Sequence, residues 1–157
     1  MATRRSKPRK AGRKPAARGA AKISRGRAKP RRAAGSGLPA LARKIVRATR
    51  QPQRFVLRDL YAEGAVSREA SGAIATGLAE LEAKLAAWNA MQERSEWVPR
   101  KVFTEGDSIC IEWDATVWMR DRRVVPFSEV AIHEVRDGKI VAERYYYDPR
   151  ALSPSPS

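Results

Sequence analysis

From Trp97 to Asp148 the side chains alternate between apolar or aromatic and polar. The runs WVPRKVFTE, DSICIEWDATVWMR, RVVPFSEVAIHEV and KIVAERYYYD follow one another, parted by EGD, RDR and RDG. A period of two rich in β-branched and aromatic residues is the signature of a strand with one face buried. Four such strands joined by short turns leave the chain little choice but an antiparallel meander, and Asp137-Gly138 is a strong two-residue hairpin signal.

Ahead of residue 96 the period is 3.6. Gly35-Ser36-Gly37 forms a joint and Pro39 suits a first helical turn. Leu38, Leu41, Ile45 and Ala48 then make LPALARKIVRATR a helix with one apolar stripe and a basic back. FVLRDLYAEG predicts a second, short helix with Val56, Leu57, Leu60 and Tyr61 on one side and Gly64 as its stop, and VSREASGAIATG predicts irregular chain. GLAELEAKLAAWNAMQ predicts a third helix, lined by Leu78, Leu81, Leu85 and Trp88 and supported by Glu80 with Lys84. The expected class is α+β: three N-terminal helices packed on one face of a strongly curved antiparallel sheet of about four strands.

Charge is segregated. Residues 1–36 hold fourteen Lys or Arg, no acid and, after Met1, one large apolar residue, Ile23; the first carboxylate of the 157-residue chain is Asp59. Such a segment cannot bury enough surface to offset the entropy of ordering it, so residues 1–37 are expected to be a disordered basic tail, and 151–157 a disordered C-terminus. RRSKPRK, GRKP and AKPRR, separated by Ala, Pro and Gly, resemble in composition the tails of linker histones and bacterial histone-like proteins. Arg4, Arg5, Lys7, Arg9, Lys10, Arg13, Lys14, Arg31 and Arg32 could follow a phosphate backbone and release its counterions without reading bases. A solubilising extension, a mis-assigned start codon and an organellar transit peptide are the competing readings of the same residues. Cys110 is the single cysteine, which excludes an intrachain disulfide and a Cys-based zinc site and points to a reducing compartment. With no long apolar window and no secretory leader, the expectation is a cytoplasmic chain, nucleoid-associated if the tail acts, with no membrane partner.

LYAEGAVSREA, GLAELEAKLAAW, EWDATVW and above all FSEVAIHEVRDGKIVAERYYYDP resemble the SnoaL-like branch of the NTF2-like superfamily over about residues 38–150. The resemblance implies a cone in which a curved sheet wraps a long helix and leaves a pocket, commonly in a homodimer. It implies less about activity, since that superfamily includes isomerases, hydrolases, cyclases, dehydratases and pure binding proteins. Neither the aspartate-tyrosine pattern of a ketosteroid isomerase nor the Asp-Arg-Asp pattern of an epoxide hydrolase can be placed on these residues.

Pairing the strands about tips at 121–122 and 137–138 sets Asp114 opposite Glu129, Cys110 opposite His133, Tyr146 beside Glu129 and Arg144 beside Ala131. Like charges directly opposite in a sheet are destabilising unless one is protonated or paired. In a pocket, Asp114 and Glu129 could therefore act as acid and base, with Tyr146 as hydrogen-bond donor and Arg144 as anion anchor. His133, Trp118, Trp88 and Glu69 complete the candidate ligand-binding set. The competing placement puts this face on the wet, convex side and turns Trp113 and Tyr145 toward the helices. His133 is the single histidine, which excludes a multi-histidine metal site; it has no motif-bearing serine partner for a Ser-His-Asp triad, GSG at 35–37 lacks the preceding strand and the lysine of a phosphate-cradling loop, and no cofactor is expected. Two functions remain open: a binding or accessory protein with a small hydrophobic pocket, held near nucleic acid by its tail, or a small cofactor-independent isomerase, cyclase or hydrolase.

Overall fold

The computed structural model describes residues 37–153. The basic tail up to residue 36 and the last four residues lie outside the described residues. Helix α1 spans Leu38–Arg50 and turns Leu38, Leu41, Ala42, Ile45 and Ala48 inward, so its apolar stripe is the one the spacing predicts. The expected second helix is absent. In its place are two 3-10 turns, Pro52–Arg54 and Leu57–Asp59, and the start of a strand.

Strand β1, Tyr61–Arg68, and the short β2, Ile74–Thr76, fold from the stretch expected to be helix end and irregular chain. Their local sequence, rich in Ala, Gly and Glu, has little intrinsic preference for a strand; the pairing is tertiary. β1 lies parallel to β6 and antiparallel to β2. Helix α2, Leu78–Met91, follows Gly77, whose φ of 82° suits glycine and whose N–H bonds Ala65 O. The Glu80 carboxylate accepts from the Thr76 N–H at 2.6 Å, closing the helix start.

The remaining strands are β3 (Gln92–Glu105), β4 (Ser108–Met119), β5 (Val124–Arg136) and β6 (Lys139–Tyr146). Six strands thus form one sheet in the order β2-β1-β6-β5-β4-β3, rather than about four. Irregularities at Gln92/Arg94, Pro99/Lys101 and Glu134/Val135 bend it. Pro99 sits at one of these on the edge strand β3, where its missing N–H costs least. Along β4, Ile109, Ile111, Trp113, Ala115, Val117 and Met119 point to the concave face, over which α1 packs. The architecture is an α+β cone with helices on one side of a curved sheet.

The register departs from the expected one. Arg120–Arg122 form a three-residue loop closed by Met119 N–H to Arg123 O, with Arg122 at φ 72°. Trp113, not Asp114, therefore faces Glu129, and Asp114 faces Ser128; His133 faces Ile109, and Cys110 faces Ile132. At the second hairpin Asp137 and Gly138 both have positive φ, as the sequence predicts. The bulge at Glu134/Val135 then shifts the strands by one, so Tyr146 pairs with Val130 and Arg144 with Ile132. A shift of one residue exchanges the two faces.

Candidate functional site

Between α2 and the concave face lies a cavity of about 710 Å³. Its apolar wall is an aromatic cluster. Trp97 meets Trp113 and Phe127 edge-on at 5.8 Å, and Trp88 and Tyr147 pack beside them. The turn Pro149–Leu152, which carries the chain past residue 150, the expected end of the domain, adds half-buried Ala151 and Leu152 to this wall. Helix α2 buries only Leu81 and leaves Lys84, Leu85 and Trp88 partly open. Apolar composition on that helix lines a hollow instead of filling a core.

The polar wall is built from β1, α2, β5 and β6. Lys84 Nζ donates to Ser67 Oγ at 2.6 Å, contacts Glu69 at 2.5 Å and Glu143 at 3.4 Å, and lies 4.2 Å from the centre of the Tyr145 ring. Tyr61 donates to Glu143 at 2.7 Å and Tyr147 to Glu69 at 2.9 Å. His133 and Glu143 are each 2 % exposed, with Nδ1 3.3 Å from the carboxylate. That contact is an ion-pair distance without hydrogen-bond alignment, and both imidazole nitrogens are buried without a hydrogen-bond partner. Among the described residues no group of three or more His, Cys, Asp or Glu is arranged to hold a metal ion.

Three carboxyls, Glu69, Glu129 and Glu143, share this space with one ammonium. Burial pushes Glu143 up, but the imidazole, Lys84 and the Tyr61 hydroxyl outweigh it and hold the group well below the ordinary carboxylate range. Glu129 has no hydrogen bond or ion pair among the described residues. Burial first, then the charges of Glu69 and Glu143, raise it to about 8, with Lys84 pulling the other way. Burial and the neighbouring Glu143 likewise raise the Tyr61 and Tyr145 hydroxyls, which stay protonated as donors. The site thus favours the neutral acid form at Glu129 and the carboxylate form at Glu143.

Of the residues singled out from sequence, Glu129, His133, Trp88 and Glu69 line the cavity. Asp114, Tyr146, Arg144 and Trp118 are on the convex face. There Asp114 accepts from Ser128 at 3.1 Å and pairs with Arg100 at 3.3 Å, Arg144 pairs with Glu134 at 2.7 Å, and Arg94 stacks on Trp118. Asp114 and Glu129 are not brought together. Glu143, Lys84, Tyr61, Ser67 and Tyr147 enter the site unforeseen, and Trp113 and Tyr145 reach it turned toward the helices, as in the competing placement. The one available signal was alternation within KIVAERYYYD, where Glu143, Tyr145 and Tyr147 share a face.

The sequence model of the SnoaL-like domain matches residues 42–143. No curated protein matches the sequence. Among solved structures, a candidate SnoaL-like polyketide cyclase from Jannaschia sp. is 20% identical, with a TM-score of 0.63 over 72% of this chain and 89% of that one. An NTF2-like protein of unknown function from Burkholderia pseudomallei is 14% identical, with a TM-score of 0.69 over 76% and 99%. A protein with a ketosteroid isomerase-like fold from Catenulispora acidiphila, solved with trimethylamine, is 20% identical, with a TM-score of 0.61 over 69% and 88%. At these identities the likeness is one of fold. The family match across most of the folded region establishes that the chain belongs to the SnoaL-like domain family, and the solved structures agree with it in fold.

Proposed function

We propose that the domain binds a largely apolar small molecule carrying a carbonyl or hydroxyl oxygen, and that Glu129 moves a proton at that oxygen or at the carbon α to the carbonyl. The observation that carries this reading is the isolated Glu129 carboxyl in the cavity, raised to about 8. A group that titrates near working pH serves as donor and acceptor with little driving force lost either way. The aromatic wall supplies contact area for an apolar body, and Tyr145 and His133 supply further hydrogen-bonding groups. The candidate cyclase and a candidate hydroxylase from Streptomyces galilaeus among the similar structures agree with a small-molecule cavity.

The proton transfer can be followed without identifying the product. A panel of hydrophobic ketones is screened by quenching of the cavity tryptophans, and each binder is incubated in deuterated water while exchange at its α-carbon is followed by NMR. Exchange should depend on Glu129, and Glu129→Gln should slow it by about 10²- to 10⁴-fold. Tight binding with no exchange would instead make the domain a binding module, and no binding at all would remove the reading.

A second reading concerns the segment ahead of the domain. Its fourteen cations, unrelieved by any acid, support sequence-independent association with nucleic acid. The chain is further proposed to pair with a second copy through the convex face.

A further inference from the structure

We propose that the outward face of α1 and the hollow beside it hold a nucleic-acid phosphate backbone, so that the folded domain is itself part of the interface. The choice of partner rests on the nucleic-acid reading of residues 1–36; the surface is a separate observation. Arg43, Lys44, Arg47 and Arg50 on α1, with Arg54 and Arg58 in the turns that follow, are all exposed. None of the six forms an ion pair with a carboxylate among the described residues. Beside them a concavity of about 510 Å³ is lined by Lys44, Arg47, Gln51, Arg54 and Lys139, with Asp59 the one acid on its wall. Lys139 is fixed there by donating to Arg58 O at 2.6 Å.

Concentrated like charge in a concave surface raises the local potential, and among the described residues Asp59 alone offsets it there. The missing partner is polyanionic. The opposite stripe of α1 is already buried in the core, so the helix keeps no apolar face to insert into a bilayer, which favours a phosphate backbone over a membrane. Thirteen helical residues extend about 20 Å, the length of about six base-pair steps of duplex. Cations spaced one to a turn along that length can meet successive phosphates without reading bases.

The full-length chain is titrated onto a labelled duplex of about 20 base pairs at salt from about 50 to about 200 mM. Replacing Arg47, Arg50 and Arg54 together by Gln should lower the steepness of log K against log salt by about 2 to 3, at about 0.9 for each phosphate no longer neutralised, and weaken binding at least about tenfold. Unchanged slope and affinity overturn the proposal. A parallel variant with Arg4, Arg5, Lys7, Arg9 and Lys10 changed to Gln reports on the tail alone. If only the tail variant loses binding, the tail reading stands and this one falls; if only the α1 variant does, the reverse holds. Circular dichroism checks that the variants fold. Hydrogen exchange on the unaltered protein gives a second measure: duplex should protect the amides of residues 43–54, and absence of protection counts against the proposal. Vesicles containing phosphatidylserine are the remaining arm. An α1 variant that loses vesicle binding while keeping duplex binding would reassign the face to a membrane.

Discussion

Glu129, partly buried, and Glu143, fully buried, lie on the same concave face, yet their protons respond in opposite directions because Glu143 is in contact with Lys84, the imidazole and the Tyr61 hydroxyl, whereas Glu129 has only the weaker pull of Lys84 against its carboxylate neighbours. Glu143 has a depressed folded-state value, so it contributes stability above the ordinary carboxylate range and loses it as the pH falls below. Glu129 is the reverse case. Its folded value of about 8 lies above the unfolded 4.5, so the native state binds the extra proton; stability is fully present below the unfolded value and lost as pH rises through the folded one. Urea unfolding from pH 5 to 8 should therefore show a loss approaching about 1.4 kcal/mol per pH unit from this group. Glu129→Gln, which keeps the shape and cannot ionise, should flatten that slope and be the more stable protein at pH 8. Parallel curves for the two proteins would mean that Glu129 is solvated and ionised, and the acid–base proposal would lose its basis.

At the scale of elements, the outcome at each turn was decided by what the residues announce. The Asp137-Gly138 tip was legible because both positions need positive φ and both residue types tolerate it. Arg122 adopts φ 72° with no glycine or asparagine to signal it, so the loop reads as one residue shorter than it is. That residue, and the bulge at Glu134/Val135, separated Asp114, Arg144 and Tyr146 from the cavity that holds Glu129 and His133. Long periodic segments were legible from their side chains alone: α1, α2 and the four strands of the meander. β1 and β2 were not, because their strand state comes from neighbours far along the chain, and with them went Tyr61 and Ser67. The Arg122 turn is open to test. Arg122→Gly should be neutral or stabilising by up to about 1 kcal/mol, since glycine adopts this backbone without a steric penalty. Arg122→Val should cost about 1–2 kcal/mol, as the penalty of the left-handed region is steepest for a β-branched residue. Destabilisation by glycine of the same size as by valine would contradict the three-residue loop.

Across the whole molecule, the convex side of the sheet is the surface the fold leaves unfinished. Val98, Phe103 and Tyr146 are 57 %, 56 % and 54 % exposed, and their strand partners Asp114, Cys110 and Val130 place them on one face. Between them run the ion pairs Arg100–Asp114 and Arg144–Glu134, so the face carries apolar residues and charges of both signs. A surface of that kind is self-complementary under a two-fold axis: each apolar patch can cover its equivalent while cations meet anions of the other copy. It also lies apart from the cations of α1, whose mutual repulsion would oppose pairing through the helix. The proposed homodimer should therefore sediment as a dimer at micromolar concentration and show little weakening in salt, since apolar contact carries it. Phe103→Asp would place a charge in the contact and should give a monomer with unchanged circular dichroism. A wild-type chain that sediments as a monomer would leave the convex patch without a second copy, and a Phe103→Asp variant that still dimerises would move the contact elsewhere. Because Glu129, Lys84 and Glu143 are all contributed by one chain, the monomeric variant should keep its ligand affinity, which separates assembly from the chemistry of the cavity.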